Sequence, residues 1–467
     1  MEDFAMLIDG KLTPGHGSID VLNPATAQAF AKAPHASPAQ LDLAVAAARR
    51  AFPGWRDTPV EDRRRVLLAM ADVIEANAEE LGRYLTMEQG KPLADAIGEA
   101  RATAGAFRAF AAFDLPVKVI EDSQSRRVEA HRRPLGVVAA IVPWNFPLSL
   151  LAFKMPPALL AGNTMVIKPA ATTPLSTLRI GALIADIAPP GVVNIISDDN
   201  DLGHLLSAHP DVRKVSFTGS TETGRKVMAG AAATLKRLTL ELGGNDAAIV
   251  LDDVNPREVA GEIFRAAFRN SGQICIAIKR VYAHESIHDE LCDEIARLAN
   301  EAVVGDGLAE GVRFGPLQNK AQYHRVAGLI EDARTKGTII AGGEPPEGPG
   351  YFIRPTVVKD VSNGVRVVDE EQFGPVLPII KFSDIDDAIA MANDSPWGLG
   401  GSVWSGDWQR AADLAGRFES GTVWINQHGH LSPMIPFGGS KQSGFGVEMA
   451  EAGLEEFTQL QVISVLR

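Results

Sequence analysis

Cysteine is nearly absent: Cys275 and Cys292 are the only two in 467 residues. No disulfide framework can hold such a chain, and two thiols suit a reducing cytoplasm. A surplus of positive charge is also missing. Lys and Arg total 45 against 58 Asp and Glu, a formal net charge of −13, which disfavours nucleic acid because phosphate binding needs a cationic surface. No apolar run is clean enough for a membrane helix. The stretch from Pro134 to Phe153 carries no charge, but Pro134, Pro143, Pro147 and Asn145 interrupt it, so it reads as a buried strand followed by a turn. The start, MEDFAMLIDG, lacks the basic residues and apolar stretch of a signal peptide. No cluster of His, Cys and carboxylates has metal-ligand spacing, so no metal is expected. The Gly-x-Gly-x-x-Gly dinucleotide fingerprint and internal repeats are absent too.

What is present is an ordinary globular composition, 46% hydrophobic and 22% charged, in a chain long enough for two or three domains. Helical and strand signals alternate, which favours α/β architecture. Helical spacing marks Leu41 to Phe52, Asp62 to Tyr84, Pro256 to Asn270 and His288 to Val303. Short β-rich runs mark strands at Gly136 to Val142, Asn163 to Lys168, Val192 to Ile196, Arg213 to Phe217 and Ala247 to Leu251. GGEPPEGPG, Gly342 to Gly350, reads as a surface turn. The run RKVSF leads into Thr218-Gly219-Ser220 and a helix start. That arrangement suits a pyrophosphate, because free backbone N–H groups point at the anion; an ordinary β–α turn looks the same.

Three residues carry candidate chemistry. Cys275 follows a polar Ser-Gly-Gln turn, where a thiolate is reachable by substrate, whereas Cys292 sits in a helical pattern and reads as packing. Glu241 lies between two leucines beside paired glycines. Burial there would raise its pKa toward the range of a general base; a glutamate bonded to local backbone fits the spacing equally well. Asn145, fixed by prolines in PWNFP, could donate to an oxyanion or simply form a turn.

In order along the chain stand PWNFP at 143–147, KPAATTP at 168–174, FTGSTETG at 217–224, LELGGN at 240–245, GQICIA at 272–277, EEQFGPV at 370–376 and PFGGSKQSGFGVE at 436–448. This ordered set, spanning most of the chain, resembles the aldehyde dehydrogenase superfamily, in its NAD(P)-dependent, non-acylating form. The resemblance implies that Cys275 adds to the aldehyde, that Asn145 and the Cys275 N–H hold the oxyanion, and that hydride passes to the nicotinamide. Glu241 would then activate water against the thioester, with Lys154 and Glu448 as a proton relay. For the cofactor it implies Lys168 at the adenosine ribose, Glu371 at the nicotinamide ribose, Gly219 and Ser220 at the pyrophosphate, and Phe373 near the nicotinamide. Pro143 and Trp144 would line the adenine side, with Leu242 also on the cofactor cleft. Ala171 stands where many NAD-preferring members carry a glutamate, so either NAD or NADP is expected.

Phe153 occupies a position that is arginine in members acting on succinic semialdehyde. With Phe146, Ile274, Ile276, Leu431 and Phe437 it would line an apolar tunnel, favouring an uncharged aliphatic or aromatic aldehyde. His428 and His430 could bind a polar group on the substrate, although paired loop histidines more often face solvent. The implied architecture is a Rossmann-like doubly wound cofactor domain over 1–115 and 135–243, and an α/β catalytic domain over 244–441. An oligomerisation flap at 116–134 and a C-terminal strand within 442–467 would pair with another subunit, giving a homodimer or homotetramer. Two rival functions remain: a coenzyme A–acylating dehydrogenase, which Glu241 argues against, and a non-catalytic nucleotide-binding relative, which the intact Cys275, Asn145 and Glu241 argue against.

Overall fold

The computed structural model describes residues 4–344 and 348–467. Two mainly parallel sheets, each covered by helices, organise the chain. The first has eight strands. Its parallel core runs Val193–Ile195, Thr164–Lys168, Val137–Ile141, Val212–Thr218 and Arg237–Glu241 in spatial order. Chain order leaves Val137–Ile141 in one direction and then returns to its other side, the doubly wound pattern expected from the sequence. Val137–Ile141 and Thr164–Lys168 are buried at every position. Helices on both faces require this, and it explains why these strands read as unbroken apolar runs.

The second sheet has seven strands, ordered Thr338–Ala341, Thr356–Lys359, Val376–Phe382, Ile278–His284, Asp246–Val250, Gly400–Trp404 and Thr422–Ile425. Separate apolar cores flank it. Cys292 is fully buried in one of them, as its helical setting suggests.

Two sequence expectations change. The stretch from Asp62 to Tyr84 is two helices, Val60–Ala76 and Ala78–Gln89, parted at Asn77. The Asn77 amide donates to the Val73 carbonyl at 2.7 Å, the side-chain competition with the helix ladder that breaks helices at Asn. The C-terminal strand Thr458–Leu466 is not an unpaired edge: along its whole length it pairs antiparallel with Arg126–Pro134 of its own flap, and Lys118–Asp122 completes a three-stranded sheet. One edge of Thr458–Leu466 stays open, with Leu460, Val462 and Val465 exposed. In the Gly342 to Gly350 turn, residues 345–347 lie outside the described residues, as do residues 1–3 of the N-terminal stretch.

Among the described residues, no helix is long and apolar enough to cross a membrane. Nor does any group of three His, Cys, Asp or Glu residues there offer a metal site.

Candidate active site

Four of the five parallel strands of the first sheet deliver a candidate residue from their carboxyl ends, where open α/β sheets bind ligands. Val137–Ile141 leads into Pro143–Pro147, Thr164–Lys168 ends on Lys168, Val212–Thr218 runs into Gly219, and Arg237–Glu241 ends on Glu241. Glu241 lies directly across from Thr218 in the parallel register.

The loop carrying Cys275 reaches this edge from the second half of the chain. It is held in a costly conformation: Asn270, Ser271 and Gly272 have φ of 51°, 54° and 72°. Left-handed backbone in two successive residues with side chains needs compensation. Gln273 Nε2 donates to the Asn270 carbonyl at 2.9 Å, Ser271 Oγ to Gly315 O at 2.7 Å, and Asn270 Nδ2 to Asn145 O at 3.2 Å. Asn145 in turn donates its amide to Gln273 O at 3.0 Å. The Asn145 loop and the Cys275 loop are therefore cross-bonded in both directions, and one N–H of the Asn145 amide remains for another acceptor.

The paired glycines after Glu241 make this approach possible. A Cβ on Gly244 would stand 2.2 Å from the Cys275 carbonyl oxygen, and one on Gly243 would stand 2.5 Å from Glu371 Oε2. Any side chain at either position would push the nucleophile loop or the Glu371 carboxylate away. Glu371 Oε1 accepts the Gly244 N–H at 2.9 Å, and burial raises its carboxyl to about 7.

Cys275 is half-buried. Burial first, then the nearby Glu241, Asp246 and Glu371 carboxylates, push its thiol far above the usual range, while the Ile276 N–H works in the opposite sense. Glu241 is 4% exposed, and neither carboxylate oxygen has a hydrogen-bond partner in the chain. Burial and the neighbouring Glu448 raise its pKa well above the carboxylate range, and Lys154 pulls it down. The structure thus favours the unpaired-carboxyl reading of Glu241 over a glutamate bonded to local backbone. Lys154 is fully buried and donates to Glu448 and, at 2.7 Å, to Thr218 Oγ1.

The cofactor candidates gather along the same edge. The Trp144 and Phe373 rings meet edge to face at 5.4 Å, and Pro143, the neighbour of Trp144, is half-buried. Ser220 caps the helix Thr221–Ala232 by accepting the Thr223 N–H, Gly219 precedes it, and Leu242 is buried below. Lys168 is bonded to Asp198 at 2.5 Å, with side chains 5% and 0% exposed. Ala171 is buried, and the carboxylate that Lys168 meets is Asp198. The acidic run SDDND looks like a surface turn, and nothing in it singles out Asp198.

Of the tunnel candidates, Ile276 and Phe437 are buried, and Ile274, Leu431, Phe153 and Cys275 pack on the same core. Phe146 differs: Lys91 Nζ lies 3.7 Å from its ring centroid, and the same ammonium bonds Glu99 at 2.5 Å and Asn145 O at 3.0 Å. Sequence reasoning missed Lys91 and Glu99, whose buried pair fixes the Asn145 loop from the start of a helix far upstream and the turn before it. It also misplaced His428. The imidazole is buried, with Nε2 donating to the Ile276 carbonyl at 2.8 Å, Asp246 Oδ2 at 3.4 Å and Ser402 Oγ 3.0 Å from Nδ1. It neither faces solvent nor waits for substrate, because its Nε2 proton is already taken by the Ile276 carbonyl oxygen. His430 is exposed.

Comparison with known proteins agrees with this geometry. A sequence model of the "Aldehyde dehydrogenase family" matches residues 12–463. A probable aldehyde dehydrogenase of a Pseudomonas species is 41% identical over 99% of this chain and 94% of its own length. Phenylacetaldehyde dehydrogenase of Pseudomonas fluorescens is 39% identical, over 97% of this chain and 94% of its own. The crystal structure of PnpE in complex with nicotinamide adenine dinucleotide superposes with a TM-score of 0.97 at 38% identity, covering 100% of this chain and 98% of that one. The chain belongs to the aldehyde dehydrogenase family, and is an NAD(P)-dependent enzyme that oxidises aldehydes.

Proposed function

We propose that the enzyme oxidises an uncharged aliphatic or aromatic aldehyde through a thioester on Cys275. The observation that carries this reading is the convergence of Cys275, the cross-bonded Asn145 amide and the unpaired buried Glu241 at one sheet edge. Cys275 sulfur attacks the aldehyde carbon, and the Asn145 amide and Cys275 N–H stabilise the oxyanion, a role that preformed donors fill without reorganising. Bound NAD(P)+ supplies the acceptor for the two electrons that leave the thiohemiacetal. Glu241 then takes a proton from water as it adds to the thioester, and the C–S bond breaks to release the acid.

The residues present fit the cofactor. Gly243 leaves room for Glu371, whose second oxygen can take a ribose hydroxyl, while Lys168 serves the other ribose and Gly219 and Ser220 the pyrophosphate. Asp198 already shares the Lys168 ammonium, which weighs against a 2′-phosphate there and toward NAD. The apolar set Phe153, Ile274, Ile276, Leu431 and Phe437 supports an uncharged substrate, as does the name of the phenylacetaldehyde relative. With purified enzyme, absorbance at 340 nm should rise for aliphatic or aromatic aldehydes, faster with NAD than NADP; a preference for carboxylated semialdehydes would overturn the substrate class.

Residues 1–115 and 135–243 act as the cofactor domain, 244–441 as the catalytic domain, and 116–134 with 442–467 as the assembly element. The open edge of Thr458–Leu466 and its exposed valines support pairing between copies. Light scattering should give a dimer or tetramer, and a monomer at micromolar concentration would refute it. Two unpaired thiols suit work in the cytoplasm.

A further inference from the structure

One face of the first sheet is polar where apolar packing is the rule. Lys214, Ser216 and Thr218 alternate along Val212–Thr218, so their side chains share a face. Thr239 and Glu241 stand beside Ser216 and Thr218 on the next strand. On the other side, Lys214 and Ser216 are in register with Val138 and Ala140, the residue types a covered parallel strand calls for. Lys214 and Ser216 are fully buried and Thr239 is 1% exposed. Burying an ammonium and hydroxyls costs stability that a valine or alanine would not, so packing gives no reason for them.

The file is hydrogen-bonded at each end. At its upper end lies Glu241, with Lys154 donating to Thr218 and Glu448. At its lower end Lys214 Nζ donates to Thr239 Oγ1 at 2.6 Å and, at 3.4 Å, to Glu456 Oε2, which Thr239 Oγ1 also reaches at 3.4 Å. Between them Ser216 Oγ is buried with no hydrogen-bond partner in the chain, a rotor free to accept from one side and donate to the other. Same-face side chains repeat about every 6.5 Å along a strand, a gap that a lysine side chain or one water molecule covers. Glu456, just past the helix Ala450–Glu455, is the first member to meet solvent, with its side chain 29% exposed.

We propose that this file, from Lys154 and Thr218 through Ser216, Thr239 and Lys214 to Glu456, is a proton exit that drains Glu241 to solvent. The inference rests on Glu241 being the base. Each turnover converts aldehyde, NAD(P)+ and water to carboxylic acid, NAD(P)H and one proton, before the acid itself ionises. During thioester hydrolysis the water O–H bond breaks, its proton passes to Glu241, the new C–O bond forms, and C–S cleavage leaves Cys275 as thiolate. A proton kept on Glu241 would return to that sulfur; a proton sent down the file leaves the thiolate ready and restores the carboxylate. Lys214 suits this work: burial brings it down to about 8, with Glu456 and Glu448 opposing that fall, close enough to neutrality to give and take a proton.

Stopped flow on the holoenzyme, following cofactor reduction at 340 nm and proton release with a pH indicator in weak buffer, tests this with Glu456→Gln and Ser216→Ala. Glu456 is part-exposed and Ser216→Ala removes one oxygen, so both variants should fold, as the melting temperature will show. The expected result is an unchanged first-turnover burst and steady-state turnover at least about threefold slower, restored by concentrated imidazole acting as a diffusible carrier. Wild-type turnover in weak buffer for both variants overturns the exit. So does a loss that imidazole leaves untouched. If Glu241→Gln itself fails to slow hydrolysis, the base assignment falls first; if it slows hydrolysis while the two exit variants do not, only the exit falls.

Discussion

Cys275→Ala abolishes aldehyde-dependent cofactor reduction, by at least about 10⁴-fold, because no other group can make the carbon tetrahedral and covalent before the electrons leave. Nucleotide binding, followed by calorimetry or fluorescence titration, should stay within about threefold of wild type. The separation is expected from the geometry. Cys275 is half-buried and bonds neither Lys168 nor Glu371, and the strained turn before it is held by Asn270, Ser271 and Gln273 rather than by the sulfur. Loss of nucleotide binding together with activity would assign Cys275 a structural part instead. The direction of its pKa makes a companion expectation. Burial and three carboxylates hold the thiol protonated at neutral pH, so alkylation by iodoacetamide without cofactor should be slower than for a free thiol. It should climb with pH well beyond the range where an ordinary cysteine has levelled off, since only the thiolate reacts.

How far these features can be read from the sequence depends on distance along the chain. The strands and the loops at their ends are local, and apolar runs followed by PWNFP, KPAATTP or LELGGN announce a sheet edge that binds something. Glu241 is legible because a carboxylate between leucines and glycines has few surface explanations. What joins these loops is not local. Lys91, in the turn before an upstream helix, and Glu99, on that helix, reach Asn145 only through folding. His428 sits in a polar loop, NQHGH, that looks solvated, yet its partners are Asp246 and Ile276, more than a hundred residues away. The tail QLQVISVLR alternates as an edge strand must, but alternation cannot say whether the partner is the same chain or another; here it is the flap of the same chain. Thr239, Lys214 and Ser216 look like ordinary members of strands until the register sets them side by side.

Glu241→Gln separates the two halves of the reaction. Glutamine keeps the size of the side chain and copies the neutral, protonated form that burial and Glu448 favour, so folding and nucleotide binding should be preserved. It cannot take a proton from water. The first turnover should therefore still yield about one equivalent of reduced cofactor per site, while steady-state turnover falls about 10²- to 10⁴-fold, the usual worth of a positioned base. The acyl group should then be found on Cys275 by mass spectrometry of the quenched protein. The pH dependence has a definite sign. Because the pKa of Glu241 is raised, its base form is present above that raised value and is lost as pH falls through it, so thioester hydrolysis in the wild type should still quicken with pH above the range where an ordinary carboxylate has fully ionised. In the glutamine variant that rise should flatten, leaving hydroxide as the remaining nucleophile at high pH. A wild-type steady-state rate, or an absent burst, would remove Glu241 from the hydrolytic step. In the first case the water would need another base, and Glu448, held by Lys154 within the same buried cluster, would be the next carboxylate to test.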